Sequence, residues 1–310
     1  MREREPMAVG VVGVGYAGSL HASKYAASPA ARLVAVADID GRRAREASER
    51  YGVPAVTDYR ELLDKVRCVS IAVPTQQHYR VARDFLTAGI DVLVEKPITS
   101  TVPDGQKLVD LARRHARILQ VGHLERFNPV VRELSKVIVA PRFVECHRLA
   151  PFVDRGTDVD VVLDLMIHDI DVISSLVHAP VVDIDATGVA VLTDKPDIAN
   201  ARIRFDDGCV ANVTASRVSI KRQRKIRFFQ SDAYISLDYD AKTAQVYRME
   251  DRSQGWAGIQ GQMIATRDGD ALQDQIESFL EAVATRKSPV VSGEDGLHAL
   301  EIASAISERL

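Results

Sequence analysis

The stretch Gly13-Val14-Gly15-Tyr16-Ala17-Gly18 follows an apolar run, Ala8 to Val12, and opens a helix-like segment that extends to Ala27. Glycines at these three places permit a tight turn, close approach of the backbone to a pyrophosphate, and close packing of helix on strand. The N–H groups at the start of the helix attract phosphate charge. The stretch predicts a strand, a dinucleotide-binding turn and a helix, and a glycine-rich turn without a ligand is the alternative.

Asp38 strengthens the dinucleotide interpretation. It ends the next apolar run, Leu33 to Ala37, and lies 20 residues beyond Gly18. A carboxylate at this spacing accepts hydrogen bonds from the adenosine ribose. Its charge repels the 2′-phosphate of NADP, so NAD is favoured. Arg42 and Arg43 keep NADP possible, because either side chain could reach a 2′-phosphate.

Outward from this stretch, short apolar runs alternate with amphipathic segments as far as Gly122, a pattern typical of a parallel sheet covered by helices. We therefore expect an α/β fold, with a Rossmann-type doubly wound parallel sheet at residues 1–123. Residues 124–310 contain a helix from about Asp158 to Val177 and then runs that resemble antiparallel strands, which indicates a second, α+β domain. We interpret Arg252 to Gly269 as a loop before two final helices.

Composition excludes several classes of protein. The 310 residues are 46% hydrophobic and 27% charged, as in globular proteins, and the formal net charge is -3. We expect no nucleic-acid partner, and we interpret the basic run Lys221 to Arg227 as solvated turn and strand edge. No apolar stretch is long enough to span a membrane, the start of the chain lacks an export signal, and the cysteines lack CxxC spacing. A cytoplasmic location follows as an expectation.

Two constellations are candidates for chemistry. Lys96, in Glu95-Lys96-Pro97, follows the apolar run Asp91 to Val94, so it should lie at the carboxyl edge of the sheet, where ligands of doubly wound folds bind. An ordinary surface lysine is the alternative. Asp164 and His168 are spaced i and i+4 in a segment that is otherwise apolar nearly all round, which predicts a mostly buried helix with both on one face.

The Asp164 and His168 pair has three interpretations. The first is a core histidine that is satisfied by the carboxylate. The second is a general base at a cleft, held by Asp164. The third is a metal site that adds Asp160 and Asp171, and it is disfavoured because an oxidoreductase that holds NAD does not need a metal.

Taken together, these residues resemble the glucose-fructose oxidoreductase, inositol dehydrogenase and MocA (Gfo/Idh/MocA) family of NAD(P)-dependent sugar oxidoreductases. The resemblance spans nearly the whole chain. It implies a second domain with a large, mostly antiparallel sheet, often used for homodimer or homotetramer contacts. It also implies that Lys96 lies by the nicotinamide, that His168 is the general acid/base and that Asp164 orients substrate and histidine. The residues expected to line the dinucleotide are Gly13, Gly15, Tyr16, Ala17, Gly18, Asp38, Pro74, Thr75, His78, Glu95 and Lys96.

Departures from the family pattern point to one subgroup. Met166 stands where the family often has glycine, Val161 and Val162 replace glycines before the aspartate, and Leu124 stands where asparagine is common. The segments that contain these departures resemble dehydrogenases that oxidise the C3 hydroxyl of UDP-N-acetylglucosamine. In that subgroup the 3-keto product goes to a PLP-dependent aminotransferase, which gives a 3-amino sugar for lipid A.

The expected reaction is therefore NAD-dependent oxidation of a sugar hydroxyl, with UDP-2-acetamido-3-keto-glucose as product. Oxidation of a free polyol or aldose such as inositol and non-catalytic NAD(P) sensing are the alternatives. Arg126, Asn128 and Arg155 are expected to contact substrate together with Asp164 and His168. A UDP diphosphate needs local cations, and the candidates, each of which could be an ordinary solvated arginine, are Arg126, Arg148, Arg155 and Arg217.

Overall fold

The computed structural model of the chain describes residues 5–153, 159–265 and 269–310. Within these limits the chain forms two compact units. The first unit runs to Leu124 and includes Asp270–Leu300, and the second comprises Glu125–Gly269 and Glu301–Leu310. No helix among the described residues is both long enough and apolar enough to cross a membrane.

The first unit is built on a parallel six-stranded sheet with strand order β3-β2-β1-β4-β5-β6. The strand order reverses between β1 and β4, and ligands of such sheets bind at the carboxyl ends of the strands beside this point. This confirms the predicted Rossmann-type sheet. The strands are β1 (Met7–Val12), β2 (Ala31–Ala37), β3 (Ala55–Val56), β4 (Cys68–Ile71), β5 (Asp91–Glu95) and β6 (Leu119–Gly122).

Helices follow most of these strands and cover the sheet. Their apolar residues are buried at helical spacing, as at Val81, Phe85 and Leu108. The helices before the second unit are α1 (Tyr16–Ala27), α2 (Gly41–Tyr51), α3 (Thr75–Thr87) and α4 (Val102–Arg114). Three short elements without a clear sequence signal, β3, a 3-10 turn at Tyr59–Leu62 and α5 (Pro129–Leu134), add to the predicted pattern.

The structure divides the chain differently from the predicted 1–123 and 124–310, because residues 270–300 belong to the first unit. They contain α7 (Ala271–Thr285) and most of α8 (Gly293–Ser307). Phe279 and Val283 of α7 are fully buried in one core cluster with Val9 and Val11 of β1. The physical reason is that α1 covers only part of the apolar face of β1 and its neighbours, and α7 packs beside α1 to complete the same core.

The second unit is built on an eight-stranded, mostly antiparallel sheet with strand order β14-β13-β12-β11-β7-β10-β9-β8. Within the described part of this sheet, β7 and β10 form the parallel pair. The finding confirms the α/β fold class with a second, largely antiparallel sheet. The strands are β7 (Phe143–Leu149), β8 (Val181–Val189), β9 (Ile198–Phe205), β10 (Val210–Ser216), β11 (Gln223–Gln230), β12 (Ala233–Asp238), β13 (Thr243–Met249) and β14 (Ile259–Met263).

One face of this sheet is buried and the other is partly exposed, because burial alternates residue by residue along the strands. A π-helical turn (Val162–Met166) and α6 (Ile167–Val177) lie against β10 and β7. The predicted helix from about Asp158 to Val177 is therefore present from Val161 onward, but its first turn is wider than a regular α-helix. Asp158 lies outside the described residues.

The segment predicted as a loop, Arg252 to Gly269, is partly regular. A 3-10 segment (Arg252–Gly258) leads into β14, which pairs with β13 from Met249 opposite Ile259 to Gln245 opposite Met263. The prediction of a loop is wrong for these residues. Their glycine-rich and glutamine-rich composition hides the strand, since pairing with β13 and not local propensity sets its conformation.

Candidate functional site

The turn after β1 requires two of its three glycines for its own backbone. Gly13 has φ +82°, and a Cβ there would lie 2.6 Å from the Ala72 carbonyl oxygen. A Cβ at Gly18 would lie 1.7 Å from the carbonyl oxygen of Gly13. A Cβ at Gly15 would meet only Arg43 Nη1, at 3.6 Å. The protein's own packing therefore leaves the space above Gly15 open, as a bound pyrophosphate requires.

Gly15 is also the N-cap of α1 and has no side chain to accept the first N–H groups of the helix. No acidic side chain lies in the first turn of α1. Backbone donors and the positive end of the helix dipole therefore face the open space above the turn. This is the donor set that a dinucleotide pyrophosphate needs, so the residues fit an NAD-type cofactor.

Asp38 is fixed at the end of β2 by two backbone hydrogen bonds. Val14 N donates to Asp38 Oδ2 at 2.9 Å, and Asp40 N donates to Asp38 Oδ1 at 2.9 Å. The residue is only 7% exposed. Arg43 Nε donates to Asp40 at 3.1 Å and stays 3.9 Å from Asp38 Oδ1. The carboxylate is thus held beside the glycine turn with a cation near it, and its contact with a ribose stays a prediction.

A cavity of about 660 Å³ lies along this turn, within the size range of ligand pockets. Its wall includes four of the predicted cofactor residues, which the first unit brings together: Gly13, Gly15, Asp38 and Pro74. Other lining residues belong to elements far apart in the sequence, so no single motif indicates them: Ile39 after β2, Tyr59 in the 3-10 turn, and Gln77 and Arg80 on α3. The mixture of apolar and hydrogen-bonding walls fits an adenosine.

His78 ties two turns of the first unit together. Its Nδ1 lies 2.8 Å from the Pro97 carbonyl oxygen and its Nε2 lies 2.9 Å from the Val73 carbonyl oxygen. Burial lowers the pKa of His78 below the ordinary histidine value. The imidazole therefore holds the segment after Lys96 against the turn before α3, where Thr75 is the first helical residue.

Glu95 supports the backbone of Lys96 at the carboxyl end of β5. Glu95 Oε2 accepts a hydrogen bond from Lys96 N at 3.3 Å, and Oε1 lies 3.1 Å from His21 Nε2. Burial favours the neutral acid, but the His21 hydrogen bond and the Lys96 charge hold the pKa of Glu95 below its ordinary value. A Cβ at Gly122 would lie 2.7 Å from Glu95 Oε1, so glycine makes room for the carboxylate. No motif in the sequence indicated His21.

In the second unit, Asp164 lies in the π-helical turn and His168 lies in the first turn of α6. Both are partly exposed, although their neighbours Val162, Met166 and Ile167 are fully buried. π turns occur often at functional sites. Partial exposure gives the His168 side chain access to a proton donor or acceptor, which a general base needs.

The other predicted substrate residues are placed as follows. Arg126 Nη1 donates to the buried Asp171 Oδ1 at 3.3 Å. Asn128 is the N-cap of α5, and its side chain accepts a hydrogen bond from Val130 N at 3.1 Å. Arg155 lies outside the described residues. Substrate contacts of these three residues stay predictions.

Two of the arginines considered as candidates for a diphosphate contact are buried. Arg148 is 2% exposed and Arg217 is 4% exposed. Their guanidinium groups donate to Asp169 and Asp197, respectively, within the second unit. Neither is the ordinary solvated arginine that was the alternative, and both guanidinium groups are already engaged in internal ion pairs.

Among residues 5–153, 159–265 and 269–310, no three histidine, cysteine, aspartate or glutamate side chains form a group suited to a metal ion. Asp171, one member of the metal site considered above, is paired with Arg126.

Two family models match the chain. The model described as the GFO/IDH/MocA oxidoreductase family with an NAD-binding Rossmann fold matches residues 7–123, and the model of the GFO/IDH/MocA C-terminal domain matches residues 139–236. The chain is 38% identical over 299 residues to UDP-N-acetylglucosamine 3-dehydrogenase of Acidithiobacillus ferrooxidans, which covers 96% of this chain and 95% of that protein.

The solved structure of UDP-N-acetylglucosamine 3-dehydrogenase from A. ferrooxidans superposes with a TM-score of 0.92 and covers 99% of this chain and 98% of that one. Myo-inositol 2-dehydrogenase of Thermotoga maritima is 26% identical over 324 residues, which cover 98% of this chain and 96% of that protein.

A first prediction concerns the open space above Gly15. Gly15→Ala should fold with an unchanged melting temperature, because its Cβ meets only a flexible arginine. It should weaken NAD⁺ binding by roughly tenfold or more, since the methyl group occupies the space of the pyrophosphate. Calorimetric titration of NAD⁺ measures this. Gly52→Ala, at a helix end with φ +64°, is the control and should lose stability while it retains NAD⁺ affinity. Equal NAD⁺ affinity in Gly15→Ala and wild type would contradict the assignment.

A second prediction concerns Asp38. Asp38→Asn removes the charge that repels a 2′-phosphate and leaves Arg43 in place. The ratio of the dissociation constants for NADP⁺ and NAD⁺ should fall by about tenfold or more. Fluorescence titration with both cofactors measures the ratio. Asp58→Asn, another carboxylate on the cavity wall, is the matched control. If the ratio changes only in Asp58→Asn, then Asp58 and not Asp38 discriminates between the two cofactors, and the assignment is wrong.

Proposed function

Because the chain belongs to the Gfo/Idh/MocA family of NAD-binding oxidoreductases, we propose that it oxidises the C3 hydroxyl of UDP-N-acetylglucosamine with NAD⁺. The observation that carries the proposal is the 38% identity to a UDP-N-acetylglucosamine 3-dehydrogenase, which extends over 96% of the chain and so through both units. The departures from the family pattern at Val161, Val162 and Met166 support the same subgroup. The product is UDP-2-acetamido-3-keto-glucose.

In the proposed reaction, His168 accepts the proton of the C3 hydroxyl as the C–O bond becomes C=O. NAD⁺ held by the glycine turn and Asp38 would supply the two-electron oxidation as the acceptor of the C3 hydride, so the alcohol would be oxidised and the cofactor reduced. The Lys96 ammonium group donates a hydrogen bond to the oxygen while negative charge develops on it. Asp164 orients the substrate and the imidazole. His168 then releases its proton to solvent.

Lys96 directly follows β5 of the first unit, and His168 lies in the first turn of α6. Glu95 fixes the backbone of Lys96, so the ammonium group extends from a stiff strand end. We place Arg126, Asn128 and Arg155 among the residues that contact the nucleotide sugar.

A free polyol is the second candidate substrate, since the chain is also 26% identical over its length to a myo-inositol 2-dehydrogenase. An assay of NADH formation with UDP-N-acetylglucosamine and myo-inositol separates the two. A protein that only senses NAD(P) would reduce no NAD⁺ with either compound, and it usually loses the catalytic lysine or histidine, both of which this chain has.

We also propose a homodimer or homotetramer formed through the partly exposed face of the eight-stranded sheet. Four aromatic side chains cross this face in neighbouring strands at matched register: Phe143, Phe229, Tyr234 and Tyr247. Their ring centroids are 5.0 to 5.6 Å apart. Trp256 is 89% exposed beside them. A contiguous aromatic surface of this kind supports burial against a second copy.

The chemical class of the proposed product, a ketone, determines which reaction can follow. A ketone at C3 is the substrate that a PLP-dependent aminotransferase converts into an amine, so we propose such an enzyme as the consumer of the product. The three cysteines, Cys68, Cys146 and Cys209, are free and buried in the structure. This supports a reducing, cytoplasmic location.

A third prediction tests the proposed base. His168→Gln should lower kcat for UDP-N-acetylglucosamine by on the order of a hundredfold to ten-thousandfold, because the hydroxyl proton has no acceptor. Lys96→Met should also lower kcat by a large factor. The dissociation constant for NAD⁺ in His168→Gln should stay within about twofold of wild type. Absorbance of NADH and a separate NAD⁺ titration give the two quantities.

His115→Gln, which changes an exposed histidine at the end of α4, is the matched control and should keep wild-type turnover. If His168→Gln keeps near-normal kcat, His168 is not the general base. Wild-type turnover of myo-inositol without turnover of the nucleotide sugar would replace the proposed substrate.

A fourth prediction tests the aromatic face. Tyr247→Arg places a charge within the aromatic row and should shift the protein to a smaller species in sedimentation velocity, since burial of an unpaired charge is costly. Gln106→Arg, on the exposed side of α4, should sediment like wild type. If wild type is already a monomer, or if Tyr247→Arg keeps the wild-type size, the proposed interface is wrong.

A further inference from the structure

Residues 159–169, called the His168 segment below, contain Asp164 and His168. Arg217 holds the start of this segment. Its Nη1 donates to the Val159 carbonyl oxygen at 2.9 Å, and its Nε donates to Asp197 Oδ1 at 2.8 Å. Asp197 is 0% exposed and accepts further bonds from the amides of residues 191–193. The starting point of the segment is therefore tied to a rigid, fully buried ion pair.

Arg148 holds the other end of the segment. Its Nε donates to Asp169 Oδ2 at 2.7 Å, and its Nη2 donates to Asp169 Oδ1 at 2.8 Å. Nη1 donates to Glu125 at 3.2 Å. Asp169 is 0% exposed, and the Tyr239 ring centroid lies 5.3 Å from the guanidinium carbon. A two-point contact between a planar guanidinium and a carboxylate fixes orientation as well as distance.

The two arginines come from one edge of the second unit's sheet. Arg148 is the penultimate residue of β7, and it is paired in register with Ala215 of β10. Arg217 directly follows the last residue of β10. Since β7 and β10 are parallel, their carboxyl ends meet at the same edge. Both arginines therefore reach the His168 segment from neighbouring strand ends.

Stability alone does not explain this arrangement. A buried ion pair contributes little net stability compared with apolar residues of similar size, because both charges must be desolvated. The ion pair instead contributes to the orientation of the residues that it joins. Asp169 follows His168 directly, and successive residues of a helix are separated by a fixed rotation of about 100°. A carboxylate held at two points therefore fixes the rotation of the helix here, and with it the direction of the Cα–Cβ bond of His168.

The π-helical turn at Val162–Met166 makes an external hold necessary. Its hydrogen bonds span five residues, and this rare turn is less regular than the α-helix that follows. Asp160 supplies one local support, because its side chain accepts bonds from Val162 N at 2.9 Å and from Leu163 N at 3.0 Å. The arginines fix the parts of the segment before and after this turn.

We infer that Arg148 and Arg217 are positioning residues, which fix the start and the rotation of the His168 segment and so aim Asp164 and His168 at the substrate. The inference rests on the proposed function for the role of His168. It replaces the expectation that these arginines bind a substrate diphosphate. They touch neither substrate nor cofactor and act through Asp169 and through the Val159 backbone.

Arg148→Lys and Arg217→Lys test the inference while they keep the buried charge. Lysine is a point charge without the planar fork, so each variant loses the two-point hold. We expect kcat to fall by about tenfold to a hundredfold, because small misplacements of reacting groups slow a reaction by such factors. The KM for the nucleotide sugar and the Kd for NAD⁺ should stay within about twofold of wild type.

Arg286→Lys is the matched control. Arg286 makes the same two-point contact with a buried aspartate, Asp91, at 2.8 Å for both bonds, but it belongs to the first unit. Because the Arg286 side chain is 39% exposed, we expect a smaller fall in melting temperature than in the two buried arginines, with wild-type kcat. If kcat follows melting temperature equally in all three variants, the role is only structural and the inference is wrong. A rise in KM for the sugar at unchanged kcat would return the arginines to substrate binding and overturn it as well.

Hydrogen exchange of the ligand-free protein separates this inference from the proposed function. Peptides that cover residues 159–177 should exchange faster in Arg148→Lys and Arg217→Lys than in wild type, and they should not change in Arg286→Lys. This result needs no substrate, so it stands even if wild type oxidises no nucleotide sugar. Unchanged exchange of these peptides in both variants would overturn the inference, whatever the substrate proves to be. Failure of wild-type turnover would overturn only the proposed function.

Discussion

The Val14 amide donates a hydrogen bond to the Asp38 carboxylate, 2.9 Å away, and this bond joins the glycine turn after β1 to the end of β2. It shapes the turn and at the same time holds the carboxylate beside the place where the dinucleotide fits. Carboxylates accept backbone amides in the same way at two other places in the chain. Glu95 accepts the amide of Lys96, and Asp160 accepts the amides that open the π-helical turn. Low-exposure carboxylates that receive backbone donors give the functional groups a stiff support.

The two units are built on different kinds of sheet, one parallel and one mostly antiparallel. The parallel sheet of the first unit brings the carboxyl ends of its strands together, so a glycine turn, Asp38 and Lys96 all follow strand ends at one edge. The sheet of the second unit is mostly antiparallel, yet its β7 and β10 are parallel, and this one pairing places Arg148 and Arg217 at neighbouring strand ends. In each unit, parallel pairing thus brings polar groups together at neighbouring strand ends.

Much of the local structure could be predicted. The apolar run Ala8 to Val12 lies within β1, and the helix-like segment after the glycine turn ends at Ala27 as predicted, because their patterns of apolar residues are complete in the sequence. The strand β14 and the return of residues 270–300 to the first unit could not be predicted. Both depend on a surface supplied by a distant part of the chain, and no spacing in the sequence encodes that surface.

The sequence by itself determined the glycine turn, the carboxylate after the second strand and the polar pair on an apolar helix, since each follows from residues close together in the chain. The tertiary structure alone decided the partners of the buried charges. His21 reaches Glu95 over 74 residues, and Arg148 reaches Asp169 over 21. An arginine in a sequence looks the same whether it meets solvent, a phosphate or a buried aspartate. Only the folded chain brings its partner within hydrogen-bond distance and removes the water that would otherwise screen the charge.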